Sequence, residues 1–391
     1  MMIWSTSLMN EYKTTLVLNI AVFILMIGDG MVVALLPAKI ITLTGSPALV
    51  GYLAAVFAAA YLLFQIPAGR LADKIGFRLP IGAGFIICGL AGILFYRADS
   101  GVEIFVGRAL QGIGEIPVWA MALALLSRLF PKSKGRAMGY YNASVHLGLS
   151  AGPFIGIWLE RFFQDPKAPF QFYFISSLAG GLLIWMLARN PDGSPDLEKS
   201  AATTISLYPL LKKKHIQVSL MGVILYGAGY GLFITLIPAY LICAKRFTTN
   251  EIGVYFTLFY TAISLVQVIT GRLSDRYGRK GFMVSGLFLA LVGIVLFPDA
   301  GKIGAMAMLM SSGFGLGMFY VSSAAHLNET VGMERKGMIS GLYFLAWGAG
   351  YFMGPLLVGI IGIHAGMPIC FQAYGCLLFL QIVFMFLWTN D

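Results

Sequence analysis

Three ionisable residues stand inside long apolar stretches of this chain: Asp29, Arg108 and Glu115. A charge near the middle of a bilayer costs about 2.5–3.5 kcal/mol on insertion scales, so such residues are functional by default. Glu115 follows Arg108 by seven residues, which places both on one helix face two turns apart. Burial and a nearby arginine act on a carboxyl in opposite senses, and this balance suits a group that binds and releases protons. The alternative is a satisfied buried ion pair with a structural role only.

The composition indicates a membrane protein. Hydrophobic residues make up 58% of the chain, charged residues 11%, and the mean hydropathy is +0.82, whereas soluble domains carry about 25% charged residues. A helical span needs about 20 apolar residues, and runs of this length favour helices over the short alternating strands of a barrel. Twelve spans are predicted: 16–38, 48–68, 79–96, 103–126, 137–159, 170–188, 216–242, 250–270, 281–297, 303–325, 337–360 and 367–388.

Basic residues concentrate on one side of these spans, as in Lys212–Lys214 and the pair Arg335 and Lys336. By the positive-inside rule this side is cytoplasmic, and both termini lie there. The net charge of +10 is then explained by topology and anionic lipid, so no nucleic-acid partner is expected. The four cysteines show no paired extracellular spacing and the four histidines no metal-ligand spacing, so no metal site is expected.

An internal repeat divides the chain into two halves. Gly69-Arg70-Leu71-Ala72-Asp73 recurs 202 positions later as Gly271-Arg272-Leu273-Ser274-Asp275, and Gly152-Pro153 recurs as Gly354-Pro355. Such a repeat predicts two related bundles. We expect an all-α polytopic membrane protein with twelve transmembrane helices in two pseudo-symmetric six-helix bundles, 1–190 and 215–391, joined by a cytoplasmic linker, 191–214. The halves differ where Tyr230 stands at the equivalent of Asp29.

Both copies of this loop resemble a signature of the major facilitator superfamily of secondary transporters, Gly-x-Leu-Ala-Asp-x-x-Gly-Arg-Lys. The first copy departs at Phe77, where the family usually has a basic residue. The resemblance implies a cytoplasmic gate in which the aspartates hold the two halves together. The residues assigned to this gate are Gly69, Arg70, Asp73, Gly76, Arg78, Gly271, Arg272, Asp275, Gly278 and Arg279. The other interpretation is that these charges only fix the topology.

Two further elements resemble the same family. Arg108–Gly114 is similar to its Arg-x-x-Gln-Gly-x-Gly element, and Gly148–Gly156 is similar to its Gly-x-x-x-Gly-Pro-x-x-Gly element, which is associated with exporters that exchange substrate for protons. Small residues four apart allow close helix packing and proline kinks a helix. The predicted hinge and packing residues are Gly148, Gly152, Pro153, Gly156, Gly354 and Pro355. Ordinary helix packing is the competing explanation.

One pattern points elsewhere and is rejected. Gly148-x-Ser150-x-Gly152 matches the nucleophile pattern of hydrolases, but that pattern requires a strand-to-helix turn in an α/β sheet. An enzyme is therefore not expected. Aromatic, amide and imidazole side chains on central helices are instead possible cavity lining, with ordinary packing as the alternative: Gln65, Trp119, Asn142, His146, Tyr226, Tyr230, Tyr255, Phe259, Gln267, Tyr343 and Trp347.

These observations predict a secondary transporter that works by alternating access. The sequence has no Walker A pattern, so we expect the proton gradient, without a cofactor, to supply the energy. The resemblance to the drug-proton antiporter branch implies efflux of an amphipathic or cationic small organic compound in exchange for protons. Asp29 and Glu115 would bind the proton and the substrate cation, while Arg108 and Gln111 would set their ionisation and orientation.

Two other functions stay open. One is a proton-coupled importer or facilitator of a small metabolite or organic anion, for which Arg108 would be the counter-ion; the other is a transport-silent membrane sensor or an intramembrane enzyme. The expected partners are a small-molecule substrate, protons and the lipid bilayer, and the expected functional form is a monomer. The expected location is the plasma membrane of a prokaryote.

Overall fold

The computed structural model describes residues 6–130, 134–188, 212–331 and 336–387. All regular secondary structure in these ranges is helical, which confirms the predicted all-α fold. The physical reason is that lipid offers no hydrogen-bond partners, and only a helix satisfies every backbone amide within its own segment.

The helices follow the predicted spans closely. In chain order they are α1 (Thr6–Thr44), α2 (Val50–Ile75), α3 (Arg78–Arg97), α4 (Gly101–Ile116), α5 (Ala122–Leu129), α6 (Lys134–Phe163), α7 (Ala168–Leu187), α8 (Lys214–Ile234), α9 (Leu236–Cys243), α10 (Thr249–Tyr277), α11 (Arg279–Leu296), α12 (Lys302–Glu329), α13 (Lys336–Ala365) and α14 (Met367–Leu387). A short 3-10 turn, Pro47–Leu49, precedes α2, and a π-helical turn, Pro117–Met121, joins α4 to α5.

Ten helical segments in the described residues are long and apolar enough to cross a membrane, with α8 and α9 together forming one of them. The other two predicted spans, 103–126 and 137–159, coincide with the path from α4 to α5 and with α6. The first of these differs from the rest because α4 carries Glu103, Arg108 and Glu115 and is interrupted by the π-helical turn. The path from α4 to α5 therefore combines buried charges with a break in the regular helix.

The chain forms two compact units. One comprises the described residues of Met1–Leu36 and Ala59–Thr204, and the other those of Pro37–Ala58 and Ile205–Asp391. The end of α1 and the start of α2 therefore group with the second unit. Most of the predicted linker, 191–214, lies outside the described residues, and the prediction of two six-helix bundles separated there stays a prediction.

In the first unit, α1 and α6 cross at glycines. A Cβ added to Gly152 would lie 2.8 Å from the Gly30 Cα, and one added to Gly148 would lie 2.6 Å from the Phe23 carbonyl oxygen. A Cβ on Gly30 would in turn lie 2.7 Å from the Leu149 carbonyl oxygen. Atoms this close would overlap, so the two backbones touch only because these positions lack side chains.

The second unit repeats this crossing between α8 and α13. A Cβ on Gly354 would lie 2.6 Å from the Ala228 Cα, and one on Gly231 would lie 2.5 Å from the Pro355 Cγ. Gly354 and Pro355 are the repeat equivalents of Gly152 and Pro153, 202 positions earlier. The motif shared by the two halves therefore forms the same close helix contact in each unit.

We predict that Gly152→Ala destabilises the protein. The new methyl group would meet the Ile27 carbonyl and Gly30, and overpacking of this kind costs about 1–3 kcal/mol. The apparent melting temperature of the purified protein in detergent should fall. Gly139→Ala is the matched control, because it lies on the same helix and its Cβ would meet nothing within 4 Å. Equal melting temperatures for the two variants would contradict the close crossing.

Candidate functional site

The four residues predicted to couple protons lie together in the first unit. Asp29 is on α1, while Arg108, Gln111 and Glu115 follow one another on one face of α4. Their exposed fractions are 6%, 3%, 0% and 2% in that order. Asp29 is 79 or more positions from the other three residues in the sequence, and the fold brings it into one buried group with them.

Gln111 is the centre of the hydrogen bonds in this group. Its Oε1 accepts a hydrogen bond from Arg108 Nη1 at 2.6 Å, and its Nε2 donates to Glu115 Oε1 at 2.9 Å and to Asp29 Oδ1. A guanidinium has only donors, so the amide oxygen must face it and the amide hydrogens must face the carboxyls. Gln111 therefore orients both acids with respect to the arginine.

The carboxyl groups of Asp29 and Glu115 lie close enough to share a hydrogen bond. Two carboxylates have no hydrogen between their oxygens, so a hydrogen bond between these acids forms only when one of them holds a proton. Arg108 is close enough to interact electrostatically with both acids. With one proton on the pair, one guanidinium faces one carboxylate, and the net charge is zero. A medium of low dielectric constant favours that neutral form.

The π-helical turn adds a fifth member. Pro117 has no N–H for the regular helix ladder, and Trp119, within the turn, donates from Nε1 to Glu115 Oε2 at 2.8 Å. The Tyr141 hydroxyl on α6 donates to the Val118 carbonyl at 2.8 Å. Such turns are rare and occur frequently at functional sites. We call Asp29, Arg108, Gln111, Glu115 and Trp119 the carboxyl cluster.

The second unit has aromatic rings instead of buried charge at the equivalent place. Tyr226 stacks on Tyr320 at 5.8 Å between ring centroids, and Trp347 stacks on Tyr351 at 5.1 Å. Tyr230, the repeat equivalent of Asp29, lies 6.1 Å from Trp347 and 6.3 Å from both Tyr226 and Tyr351. We call the following rings the aromatic cluster: Tyr226, Tyr230, Phe319, Tyr320, Trp347 and Tyr351.

Three members of this cluster, Phe319, Tyr320 and Tyr351, were missed by the sequence analysis. Tyr351 follows Trp347 by four residues and so lies on the same helix face, a spacing that could have identified it. Phe319 and Tyr320 lie on α12 and join the cluster through tertiary contacts with Tyr226, for which the sequence carries no local signal.

Other residues predicted to line a cavity have different surroundings. Tyr343 is buried beside the aromatic cluster, with its hydroxyl 3.1 Å from Ser323 Oγ. Tyr255 and Phe259 are fully buried among other rings, and the Tyr255 hydroxyl donates to the Phe233 carbonyl at 2.7 Å. Gln65, Asn142, His146 and Gln267 are partly exposed. Their role in lining a cavity stays a prediction.

The two copies of the repeated loop have the same backbone turn. Gly76, between α2 and α3, has φ +83°, and Gly278, between α10 and α11, has φ +93°. Side chains rarely tolerate this left-handed region, so glycine is required at both positions. The signature glycine therefore serves the same turn in each half.

The charges of the two loops are arranged differently. Arg279 donates to Glu329 at 2.8 Å and to Ser274 Oγ at 2.6 Å, and it also pairs with Asp275. The repeat equivalent of Arg279 is Phe77, which is buried. The next residue, Arg78, donates to the Trp185 carbonyl at the end of α7. The side chains of Arg70 and Asp73 lie outside the described part of the structure, so the predicted gate stays a prediction.

Comparison with known families gives one match across nearly the whole chain. The profile of the Major Facilitator Superfamily matches residues 18–248 and 219–391. Among solved structures, that of the nucleoside transporter NupG is similar with a TM-score of 0.81 and 12% identity, covering 96% of this chain and 100% of that one. At this identity the likeness concerns the fold alone.

Two curated relatives resemble the chain in sequence. Multidrug resistance protein 2 of Bacillus subtilis is 24% identical over 369 residues, which covers 90% of this chain and 90% of that protein. The chromaffin granule amine transporter of Rattus norvegicus is 26% identical over 326 residues, which covers 82% of this chain but only 61% of that protein.

We predict that Gln111→Leu destabilises the first unit, because it leaves Arg108, Asp29 and Glu115 without the amide that joins them. The lost hydrogen bonds involve charged groups, and each such bond contributes about 1.5–3 kcal/mol. The apparent melting temperature should fall well below that of Gln65→Leu, a control at a partly exposed glutamine on α2. If the two variants melted alike, Gln111 would not be the centre of the cluster.

Proposed function

The chain belongs to the major facilitator superfamily and is a membrane transporter, not an enzyme, and on that premise we propose that it exports an amphipathic organic cation in exchange for protons. The observation that carries this proposal is the carboxyl cluster, in which two hydrogen-bonded acids face one arginine. When both acids are ionised, this group has a net charge of −1, and a proton on one of the acids makes it neutral.

Exchange follows from this charge balance. If the shared proton leaves, two carboxylates face one guanidinium and the buried cluster has a net charge of −1. A substrate cation near Asp29 and Glu115 restores neutrality as well as the proton does, so each favours release of the other. One proton entering for one monovalent cation leaving moves no net charge, so the two contributions of the membrane potential cancel and the proton concentration gradient drives the cation outwards. An anion has no such place, because Arg108 already has a counter-ion in the neutral cluster.

The aromatic cluster favours the same class of substrate independently. Aromatic faces attract organic cations, and Trp is the strongest of the three rings in this respect. The cluster includes one tryptophan and four tyrosines, which combine apolar surface with hydroxyl groups. That combination suits a compound with both an apolar body and a positive charge.

The relatives support an organic compound as cargo. One is called a multidrug resistance protein and another an amine transporter. The first has nearly the same length as this chain, since the alignment covers 90% of each. A small organic compound as cargo is consistent with both names, and an amine with the second.

The remaining parts of the proposal concern movement and location. We assign the cytoplasmic gate to the two repeated loops, with Asp73 and Asp275 as its charged members. We assign the hinge to the crossings at Gly152 and Gly354, since each joins a proline-containing helix to a neighbour through backbone contact. The protein would act as a monomer in a prokaryotic plasma membrane, with both termini in the cytoplasm and its six-helix halves alternating access.

We predict that Asp29→Asn abolishes proton-coupled transport and leaves the protein folded. The amide keeps the shape of the carboxyl, but the cluster is then neutral with Glu115 ionised and has no proton to exchange. Purified protein in proteoliposomes should be tested with a panel of organic cations, neutral amphipaths and organic anions, with proton release as the measurement. Wild type should respond to cations and Asp29→Asn should respond like empty liposomes.

The control for this experiment is Asp165→Asn, a partly exposed aspartate in the same unit whose carboxylate accepts from the Lys167 amide. It should transport as wild type does. A response of the wild type to anions alone would contradict the proposed substrate class. Unchanged coupling in Asp29→Asn would remove Asp29 from the mechanism.

We predict that Trp347→Leu weakens transport of an organic cation more than transport of its uncharged isostere. A cation on an aromatic face gains about 0.5–2 kcal/mol, so the half-saturating cation concentration should rise about two- to thirtyfold. Trp347→Phe should show a smaller rise. Trp158→Leu, at an exposed ring on α6, should show none. Equal effects of Trp347→Leu on both compounds would indicate packing without cation recognition.

A further inference from the structure

Each acid of the carboxyl cluster follows a glycine whose missing side chain makes room for a residue of another helix. A Cβ on Gly28 would lie 2.5 Å from Tyr173 Cδ2, and a Cβ on Gly114 would lie 2.7 Å from Cys88 Sγ. Tyr173 is on α7 and Cys88 is on α3, and both side chains are fully buried. Four helices therefore meet at the acid pair, although only α1 and α4 supply the acids.

The hydroxyl of Tyr173 is buried and makes no hydrogen bond of regular geometry. The Cys88 thiol lies beside it without completing a well-aligned hydrogen bond, and the hydroxyl is close enough to Asp29 and Glu115 to interact electrostatically with both. Buried polar groups are nearly always paired, so each exception requires an explanation.

Other buried tyrosines show what is normal in this protein. The hydroxyls of Tyr141, Tyr255 and Tyr374 donate to backbone carbonyls at 2.7–2.8 Å. The ring of Tyr173 packs against Gly28, just as the rings of the other three tyrosines pack against their neighbours. The difference is that the Tyr173 hydroxyl has no carbonyl partner. The unpaired hydroxyl next to two acids therefore indicates a role in a different state of the acids.

The donors around the acid pair show which state that is. With the shared proton in place, Gln111 and Trp119 donate to the carboxyl oxygens and the proton lies between Asp29 and Glu115. When the proton leaves, the carboxylate oxygens need a new donor. The hydroxyl of Tyr173 has its hydrogen available for this purpose.

We propose that Tyr173 is a positioning residue for proton exchange, whose hydroxyl donates a hydrogen bond to Asp29 and Glu115 once their shared proton has left. The phenol keeps its own proton throughout, since only the direction of its O–H bond changes. The hydrogen bond stabilises the doubly ionised pair until a cation or a new proton arrives. The inference rests on the proposed function in that it takes the acid pair as the coupling site.

The test removes the hydroxyl and keeps the ring. Tyr173→Phe is purified as the full chain in detergent, and its fluorescence is followed as a function of pH. The emission of Trp119 is obtained by subtracting the spectrum of the same protein that also carries Trp119→Phe, and wild type is treated in the same way. Because the Trp119 indole donates to Glu115, its emission reports the charge of that acid without any substrate. The midpoint should move to higher pH by about one to two units, since the ionised pair loses a donor to charged oxygens.

The matched control is Tyr374→Phe, which removes a buried hydroxyl that donates to the Leu225 carbonyl in the other unit. It should lower the apparent melting temperature and leave the Trp119 midpoint unchanged. Tyr173→Phe should show the reverse, with an altered midpoint and an unaltered melting temperature, because no hydrogen bond is lost in the protonated state. A purely structural role of Tyr173 would not move the midpoint.

A second measurement uses the wild-type protein in case the variant fails to fold. In infrared difference spectra between low and high pH, with isotope-labelled tyrosine, a tyrosine band should change in step with the carboxylic acid band. A carboxylic acid band that titrates without any tyrosine change, or a wild-type midpoint in Tyr173→Phe, would overturn the inference and leave the proposed function standing. A protein in which neither Trp119 emission nor the carboxylic acid band titrates would contradict both.

Discussion

The carboxyl cluster depends on one constraint, which is that charge buried in a medium of low dielectric constant must be balanced. Arg108 is 3% exposed on α4, and a lone guanidinium there would be too unfavourable to persist. Two acids are available to one arginine, and Gln111 holds all three in place through its two donors and one acceptor. With both acids ionised, this arrangement lacks one positive charge. The need to supply it, by a proton or by another cation, is the physical origin of the proposed exchange.

The balance also requires that several backbones approach closely, and glycine makes this possible. Gly28 and Gly114 each precede an acid and leave space for a side chain of a third or fourth helix. Gly30 and Gly152 bring α1 and α6 into backbone contact. These helices carry a charged side chain on one face and contact neighbouring helices on another. The contact face needs small residues so that the neighbours can approach closely. The glycines therefore permit the close helix packing that surrounds the buried acids.

The two halves share their backbone and differ in their chemistry. The crossings at Gly152 and Gly354, and the left-handed turns at Gly76 and Gly278, are equivalent under the repeat. Among the described residues, the buried charge lies in the first unit, and Tyr230 occupies the place of Asp29 in the second. The duplicated sequence gives two units with similar helix contacts. At the central positions the sequences have diverged, so that one unit contains the carboxyl cluster and the other the aromatic cluster.

The amino-acid sequence was enough to predict that the protein is helical and spans a membrane, because apolar runs of this length leave the backbone no other way to satisfy its amides. It also identified Asp29, Arg108 and Glu115 as candidates, since ionisable residues are costly in such runs. Spacing along α4 could place Glu115 near Arg108. Nothing in the sequence could show that Asp29 reaches the same point, because that contact depends on how α1 packs against α4.

Which candidates act together depends on the packing of the helices. This packing buries Tyr255 among other rings and brings Tyr320 to Tyr226 from a different helix. It also revealed Tyr173, which looks like any other aromatic residue of a membrane helix until its unpaired hydroxyl is seen beside two acids. The reason is that the apolar pattern records which residues enter the membrane, whereas partners on different helices are chosen by packing.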